Sequence, residues 1–384
     1  MKNLTLIVAM FLFNQTLTAQ TAVDSNSNQP KVQLSFMYPI GTGGTQSIHQ
    51  TYTASVNILA GATGGINGVE VGSLANYTHG SVDGVQVAGM ANVVKDSFRG
   101  LQLSGFTNVV LDDVQAAQGA GFANVSMKEH KGVQVSGFAN YAGGKMQGAQ
   151  IAGFVNAAMD TAIGLQVSGY INGSLKKTKG NQIAGFANVA TGTMEGVQIS
   201  GFVNYARKLK GAQLGFINVA DSLDGIAIGF LSYARNGYHT FEISTNETFE
   251  TNLIFKTGVN QFYNSLSAGV HWNGDKTVWG LGYGIGTRKL LGQQYSVSAD
   301  LRTYGVLPDN FDNDDWESFN KLELSVGRRI NSFLEVYVGG SMNLWLSNLD
   351  ESQFDYLRWT GNRGSATNYN WVLYPGFQAG VRLF

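Results

Sequence analysis

The feature that most constrains this chain is a repeat. From Gly68 to about Ala234 it returns to a unit close to Gly-φ-Gln-φ-(Ser/Ala)-Gly-Phe-x-Asn-φ, where φ is apolar. Between residues 84 and 206 the period is a constant 16 residues. Gln recurs at Gln86, Gln102, Gln118, Gln134, Gln150, Gln166, Gln182 and Gln198. Asn recurs at Asn92, Asn108, Asn124, Asn140, Asn156, Asn172, Asn188 and Asn204. An aromatic or Met fills Met90, Phe106, Phe122, Phe138, Phe154, Tyr170, Phe186 and Phe202. So short and strict a period marks a repeat architecture and takes precedence over local propensity.

Inside a unit the residues alternate with period two, so each unit carries a strand. In 132–142 one face reads Val133, Val135, Gly137, Ala139 and Tyr141, and the other Gln134, Ser136, Phe138 and Asn140. Across the regular units the first face holds no charged residue and one strongly polar residue, Asn181. Charges such as Lys95, Asp96, Asp112, Asp113, Lys128 and Glu129 fall between the strands, where turns belong.

Two architectures satisfy this pattern. In a transmembrane β-barrel each unit is a spanning strand plus a turn, with Val, Ala and Gly toward lipid and Gln, Ser and Asn inward. In a β-solenoid each unit is one coil, with small apolar residues inside and Gln, Phe and Asn in ladders outside. A finer alternation favours the barrel. The residue before the second Gly runs Ala88, Ser104, Ala120, Ser136, Ala152, Ser168, Ala184, Ser200. Up-and-down hairpins supply two inequivalent strands per 32 residues; a 16-residue coil has no reason to alternate. The last units, Gly211 to Phe216 and Gly225 to Phe230, lack that residue. A solenoid corner absorbs such a loss, whereas a barrel strand would flip every side chain beyond it. The expected fold class is all-β: a large antiparallel transmembrane β-barrel of about 20 strands, an even number. The alternative is a repeat β-solenoid plus a smaller C-terminal β-barrel.

Composition agrees with a membrane β-protein. Charged residues are 13%, about half the share usual in soluble domains. There are 50 Gly and no Cys in 384 residues, which removes disulfides, thiolate metal sites and a Cys nucleophile. A net charge of −1 gives no reason to expect nucleic acid as a partner. Lys2, the apolar run Leu4 to Phe13 and Leu17-Thr18-Ala19 read as a secretory signal peptide cut near Gln20. The organisation expected is a signal peptide over 1–20, a polar leader over 21–30, an N-terminal strand pair over 31–61, the repeats over 62–236 and C-terminal barrel strands over 237–384.

In that last segment strands are expected near 239–246, 249–257, 260–272, 276–288, 292–305, 318–330, 333–346 and 370–384. Aromatics crowd there, among them Trp272, Trp279, Tyr295 and Trp371, as interfacial girdles require. Phe377, Ala379, Val381 and Leu383 form an apolar face, while Arg382 shares a side with Phe384.

Units such as Gly132-Val-Gln-Val-Ser-Gly-Phe-Ala-Asn140, and the segment Leu34-Ser-Phe-Met-Tyr-Pro-Ile-Gly41, resemble the surface-repeat outer-membrane proteins of Bacteroidota and spirochaetes. The resemblance covers the repeat, about 170 residues. It implies an exported surface protein and supplies no catalytic residues.

Chemistry is sparse. No two of His49, His79, His130, His239 and His271 stand at helical spacing from each other, so no His-based zinc site is suggested, and no nucleophile elbow or phosphate loop occurs. Gly280 to Gly286 reads as a Gly-rich strand. Asp309, Asp312, Asp314 and Asp315 are the one candidate metal cluster, but their spacing is not that of a calcium loop. A solvated surface loop is the better reading. Neither an enzyme nor a cofactor is expected. The candidate lumen or ligand face is Gln102, Phe106, Asn108, Gln134, Phe138, Asn140, Gln166, Tyr170, Asn172, Gln198, Phe202 and Asn204. In a barrel it suits a passive pore for small uncharged solutes such as sugars. In a solenoid it suits an adhesin or a module for surface glycans. Outer-membrane lipid and the barrel-assembly machinery are the other partners expected.

Overall fold

The computed structural model describes residues 31–273, 276–307, 316–348, 362–366 and 369–384. It divides into two compact units, one ending at Gly192 and the other beginning at Thr193. The chain is all-β: a parallel β-solenoid of about 12 turns and a closed antiparallel barrel of eight strands.

In the first unit each 16-residue turn holds a long and a short strand, as in His130–Ser136 and Ala139–Ala142. Both lie parallel and in register on the next turn, His130 opposite Met146 and Asn140 opposite Asn156. The bends are bonded the same way. Phe138 N donates to Phe122 O at 2.9 Å and Gly143 N to Ser126 O at 2.8 Å. Backbone groups are thus paired at the bends as well as along the strands. The pattern starts early. Val32–Met37 pairs in parallel with Thr51–Thr63, across a 3-10 turn at Gly44–His49.

In most turns one glycine takes up a backbone conformation that side chains rarely adopt. Gly132, Gly148 and Gly164 have φ of +137°, +130° and +119°, where side chains are rarely found. A Cβ on Gly148 would lie 1.9 Å from Gly132 O of the preceding turn. Ala116 occupies the equivalent position in its own turn, its methyl buried.

In the second unit, strands Val203–Leu214 and Ile217–Ile228 continue the parallel stacking. The barrel follows: Tyr238–Asn246, Thr251–Val259, Phe262–Asn273, Lys276–Leu291, Tyr295–Leu307, Glu317–Arg329, Leu334–Ser347 and Tyr369–Leu383. It closes by antiparallel pairing of the first strand with the last, Ile243 opposite Val381.

The large barrel of about 20 strands is therefore not the fold. The repeats are coils and only the C-terminal segment closes. The shortened units were the better guide, because a bend takes up a missing residue without changing the strand beyond it. The sidedness expected of the coil is reversed for the amides and the strand apolar residues but not for the rings. Gln134 and Asn140 are buried and Val133 and Val135 exposed, while Phe138 is outside as expected. Alternation is interrupted at the Gly137-Phe138 bend. Phe138 shares parity with Gln134 and Asn140 along the chain but stands outside the corner while they point in.

The fold makes Gly148→Ala a severe change. Forcing a methyl against the Gly132 carbonyl at positive φ should cost about 2–4 kcal/mol. Ala116→Gly should cost about 1 kcal/mol or less. Thermal melts of the two variants followed by circular dichroism test this; an equal loss for both would contradict the assigned backbone.

Candidate functional site

Three features carry the chemistry of the molecule: two amide ladders inside the coil, an aromatic edge outside it, and an ion-pair network inside the barrel.

The Gln ladder runs toward the N-terminus. Gln102 Nε2 donates to Gln86 Oε1 at 2.8 Å, Gln118 to Gln102 at 2.7 Å, and Gln134 to Gln118 at 2.9 Å. Gln166 continues it onto Gln150 at 2.8 Å, and in the second unit Gln213 donates to Gln198 at 2.7 Å. The Asn ladder runs the opposite way. Asn108 Nδ2 donates to Asn124 Oδ1 at 2.9 Å, Asn140 to Asn156 at 3.0 Å, and Asn172 to Asn188 at 3.0 Å. Asn204 donates to Asn218 at 2.9 Å. The second Asn hydrogen reaches a strand carbonyl, as from Asn140 to Ile151 O at 2.8 Å. These amides are buried, so each bond offsets a desolvation cost of about 1–3 kcal/mol that an unpaired amide would carry. The two rows of side-chain dipoles oppose one another.

The Gln ladder ends on Glu70. Its carboxylate accepts from Gln86 Nε2 at 2.8 Å, Thr78 Oγ1 at 3.1 Å and Asn57 Nδ2 at 3.2 Å. Three donors converge on it. A carboxylate accepts all of them; an amide would turn one of its own N–H groups toward a donor. Burial raises the Glu70 pKa, against hydrogen bonds from Gln86, Thr78, Asn57 and Ser55 that lower it.

His130 is the second inner titratable group. It stands in an otherwise mostly apolar column with Phe98, Val114 and Met146. Its Nδ1 lies 3.1 Å from Ser126 Oγ. Burial pushes its pKa down to about 4. Neither residue was singled out as functional from sequence. Both were legible there, Glu70 as the one acid in the Gln column and His130 as the one imidazole in its own.

The aromatic edge is a stack. Phe106, Phe122, Phe138, Phe154, Tyr170 and Phe186 follow one another with ring centroids 4.7–4.9 Å apart and nearly parallel planes. In the second unit Phe202, Phe216 and Phe230 stack likewise, and Phe230 stacks on Tyr283 of the barrel at 4.7 Å. Each ring's faces are covered by its neighbours and only the rims are open.

The expected site residues are thus separated. Gln102, Asn108, Gln134, Asn140, Gln166, Asn172, Gln198 and Asn204 are inside the coil; Phe106, Phe138, Tyr170 and Phe202 are outside. They neither line a lumen nor share a ligand-binding face. Asp309, Asp312, Asp314 and Asp315 lie outside the described residues.

The barrel is polar inside and apolar outside. Arg382 donates to Glu242 at 2.6 Å, to Glu335 at 2.9 Å and to Ser325 Oγ at 2.9 Å. Lys256 bridges Glu242 and Asp300, both at 3.0 Å. Arg302 pairs with Glu323 at 2.7 Å, Lys321 with Glu247 at 2.6 Å, and Arg288 with Glu335. Gly280 and Gly286 leave room for Phe249 and Tyr263 to fill the interior. Leu253, Leu281, Leu301 and Leu324 face out. An eight-stranded barrel is just wide enough to be filled by side chains, and here it is filled. The structure gives no support to a solute pathway.

No family model, curated protein or solved structure matches this chain.

Two outcomes follow. Glu70→Gln installs the residue found in the next turns, yet it should lower stability by about 1–3 kcal/mol in urea titrations, because it sets donor against donor. A neutral result would contradict the convergence of donors on Glu70. His130 is neutral when folded, and the unfolded chain takes up its proton first as pH falls. Its contribution is fully present above the unfolded pKa near 6.5 and is lost as pH falls toward about 4, about 3 kcal/mol in all. His130→Met, which copies Met146, should remove that slope; a profile unchanged by the substitution would contradict it.

Proposed function

We propose that this is a non-enzymatic outer-membrane protein, in which the C-terminal barrel is the anchor and the solenoid is the module it carries. The observation that carries the reading is the polarity of the barrel. Its charges are paired inside and its outward residues are Leu, Val, Ile and Phe, the arrangement a lipid environment demands and water would not. Trp272 and Trp279, exposed toward the same ends of two neighbouring strands, suit an interfacial girdle. The leader read at residues 1–20 and the resemblance to surface-repeat proteins support export to that membrane. The proposed role is structural. Stacking of sugars on the aromatic edge gains no support from its geometry, because sugar rings pack on aromatic faces and these are covered.

The reading predicts a folded barrel that runs faster on detergent gels unheated than boiled, and no stable conductance in planar bilayers. Arg382→Ala leaves Glu242 and Glu335 without their shared partner, and should cost about 3–5 kcal/mol. It would be read as a lower temperature for loss of the fast band. A protein that is monodisperse in buffer without detergent would overturn the anchor, and steady conductance would overturn the closed barrel.

A further inference from the structure

We propose that the aromatic edge of the solenoid is itself a lipid-contacting surface. The inference rests on the membrane reading of the barrel and extends it to the repeat.

The solenoid is amphipathic in cross-section. At one bend stand the stacked rings, and the outer face of the long strand beside them carries Val133 and Val135; Val135 is 46% exposed and Phe138 41%. The opposite bend carries the charges. Lys128 pairs there with Asp112 of the preceding turn at 2.8 Å, and Lys176 with Asp160; Arg99 and Asp83 pair at the start of the long strand. The rings and the Val, Leu and Ile residues of the strand face form the apolar edge, and the opposite bend mixes its charges with exposed Leu111, Met127 and Leu175.

Three properties select lipid as the occupant. First, the edge offers no unpaired backbone. Phe138 N and Ala139 N both donate to Phe122 O, and Phe154 N and Val155 N to Phe138 O. Hydrocarbon requires such satisfaction. Second, the edge lacks a register. Asn181 is the one strongly polar residue of the repeating face; a surface otherwise alike at every turn offers few placed hydrogen bonds to orient a specific protein partner, and acyl chains need none. Third, the depth matches. From Val133 to Phe138 the chain advances about 17 Å at ~3.3 Å per residue, against about 15 Å for half of a ~30 Å hydrocarbon core.

Continuity with the barrel belt supplies the connection. In the second unit Phe230 stacks on Tyr283 with planes 12° apart. Tyr283 is in register with Leu266, which faces out from the barrel and is exposed. The last rings of the edge therefore merge with the barrel surface assigned to lipid.

Because the chain has no Cys, single nitroxide labels can be placed at will. Full-length protein carrying Val135→Cys, Phe216→Cys, Lys128→Cys or Leu301→Cys would be reconstituted into vesicles of phosphatidylethanolamine and phosphatidylglycerol. Accessibility to oxygen and to a nickel chelate would be read by EPR power saturation. We expect the labels at 135 and 216 to match 301, oxygen-accessible and several-fold less accessible to nickel than 128. Nickel access at 135 and 216 with 301 still in lipid would overturn this inference and leave the barrel anchor standing. Exclusion of both probes there would mean a protein cover and would also overturn it. Nickel access at 301 would remove the anchor and the inference together.

Discussion

The structure depends on one interaction, the hydrogen bond a side-chain amide makes to its own copy one turn away. Turns bonded in parallel register place identical residues directly over one another, as Gln118 over Gln102 and Asn124 over Asn108. At that spacing an amide can donate to the copy on one side and accept from the copy on the other. A narrow coil can therefore be lined with Gln and Asn and still be dry and satisfied. The bond also fixes the period, since a turn longer or shorter within a strand would bring Gln against a different residue. Glu70 follows from the same logic. A ladder that donates in one direction must end on an acceptor, and Glu70 ends it with a carboxylate.

Amides fill the middle of the coil beside an apolar inner column of Val82, Phe98, Val114 and Met146, and strand alternation turns the residues between the amides outward. This is why Val135 is exposed and why the coil and the barrel share a sidedness. In both, charges or amides satisfy one another within, and aliphatic and aromatic side chains face out. In the barrel the inner groups are ions instead of amides. Their pairing around Arg382, Glu242 and Lys256 holds eight strands about a packed centre. Glu335 and Arg288 extend the same network to Phe384, over which the Arg288 and Arg329 guanidinium groups lie.

Much of this was legible in the residues. The period and the charged bends could be read directly, as could eight strands after residue 237, where inward and outward side chains largely alternate; one strand was read per unit, whereas each turn holds two. The solenoid stood as the alternative, supported by the shortened units. What could not be read was the side each residue faces. Parity carried across Gly137-Phe138 puts Phe138 with Gln134 and Asn140, but the bend there resets the direction. Hydrophobicity misled in the same sense, because an amide ladder reverses the usual rule that apolar residues fill a core. The alternation of Ala152 and Ser168, which suggested hairpins, falls on one inward position of successive turns, and nothing in the structure explains it.

The parallel stack is the claim on which the rest stands, and a double label tests it most directly. Val133 and Ala149 are partners on adjacent parallel turns, about 4.8 Å apart at the spacing of neighbouring strands. In an antiparallel hairpin with its turn at 143–147 the same two residues would be about 26 Å apart, eight residues out of register at ~3.3 Å each. Val133→Cys with Ala149→Cys, both carrying nitroxides in the full-length protein, should give strong dipolar broadening of the EPR line, and mild oxidation of the unlabelled pair should form a disulfide. A spectrum equal to the sum of the two single labels, with no cross-link formed, would contradict the solenoid.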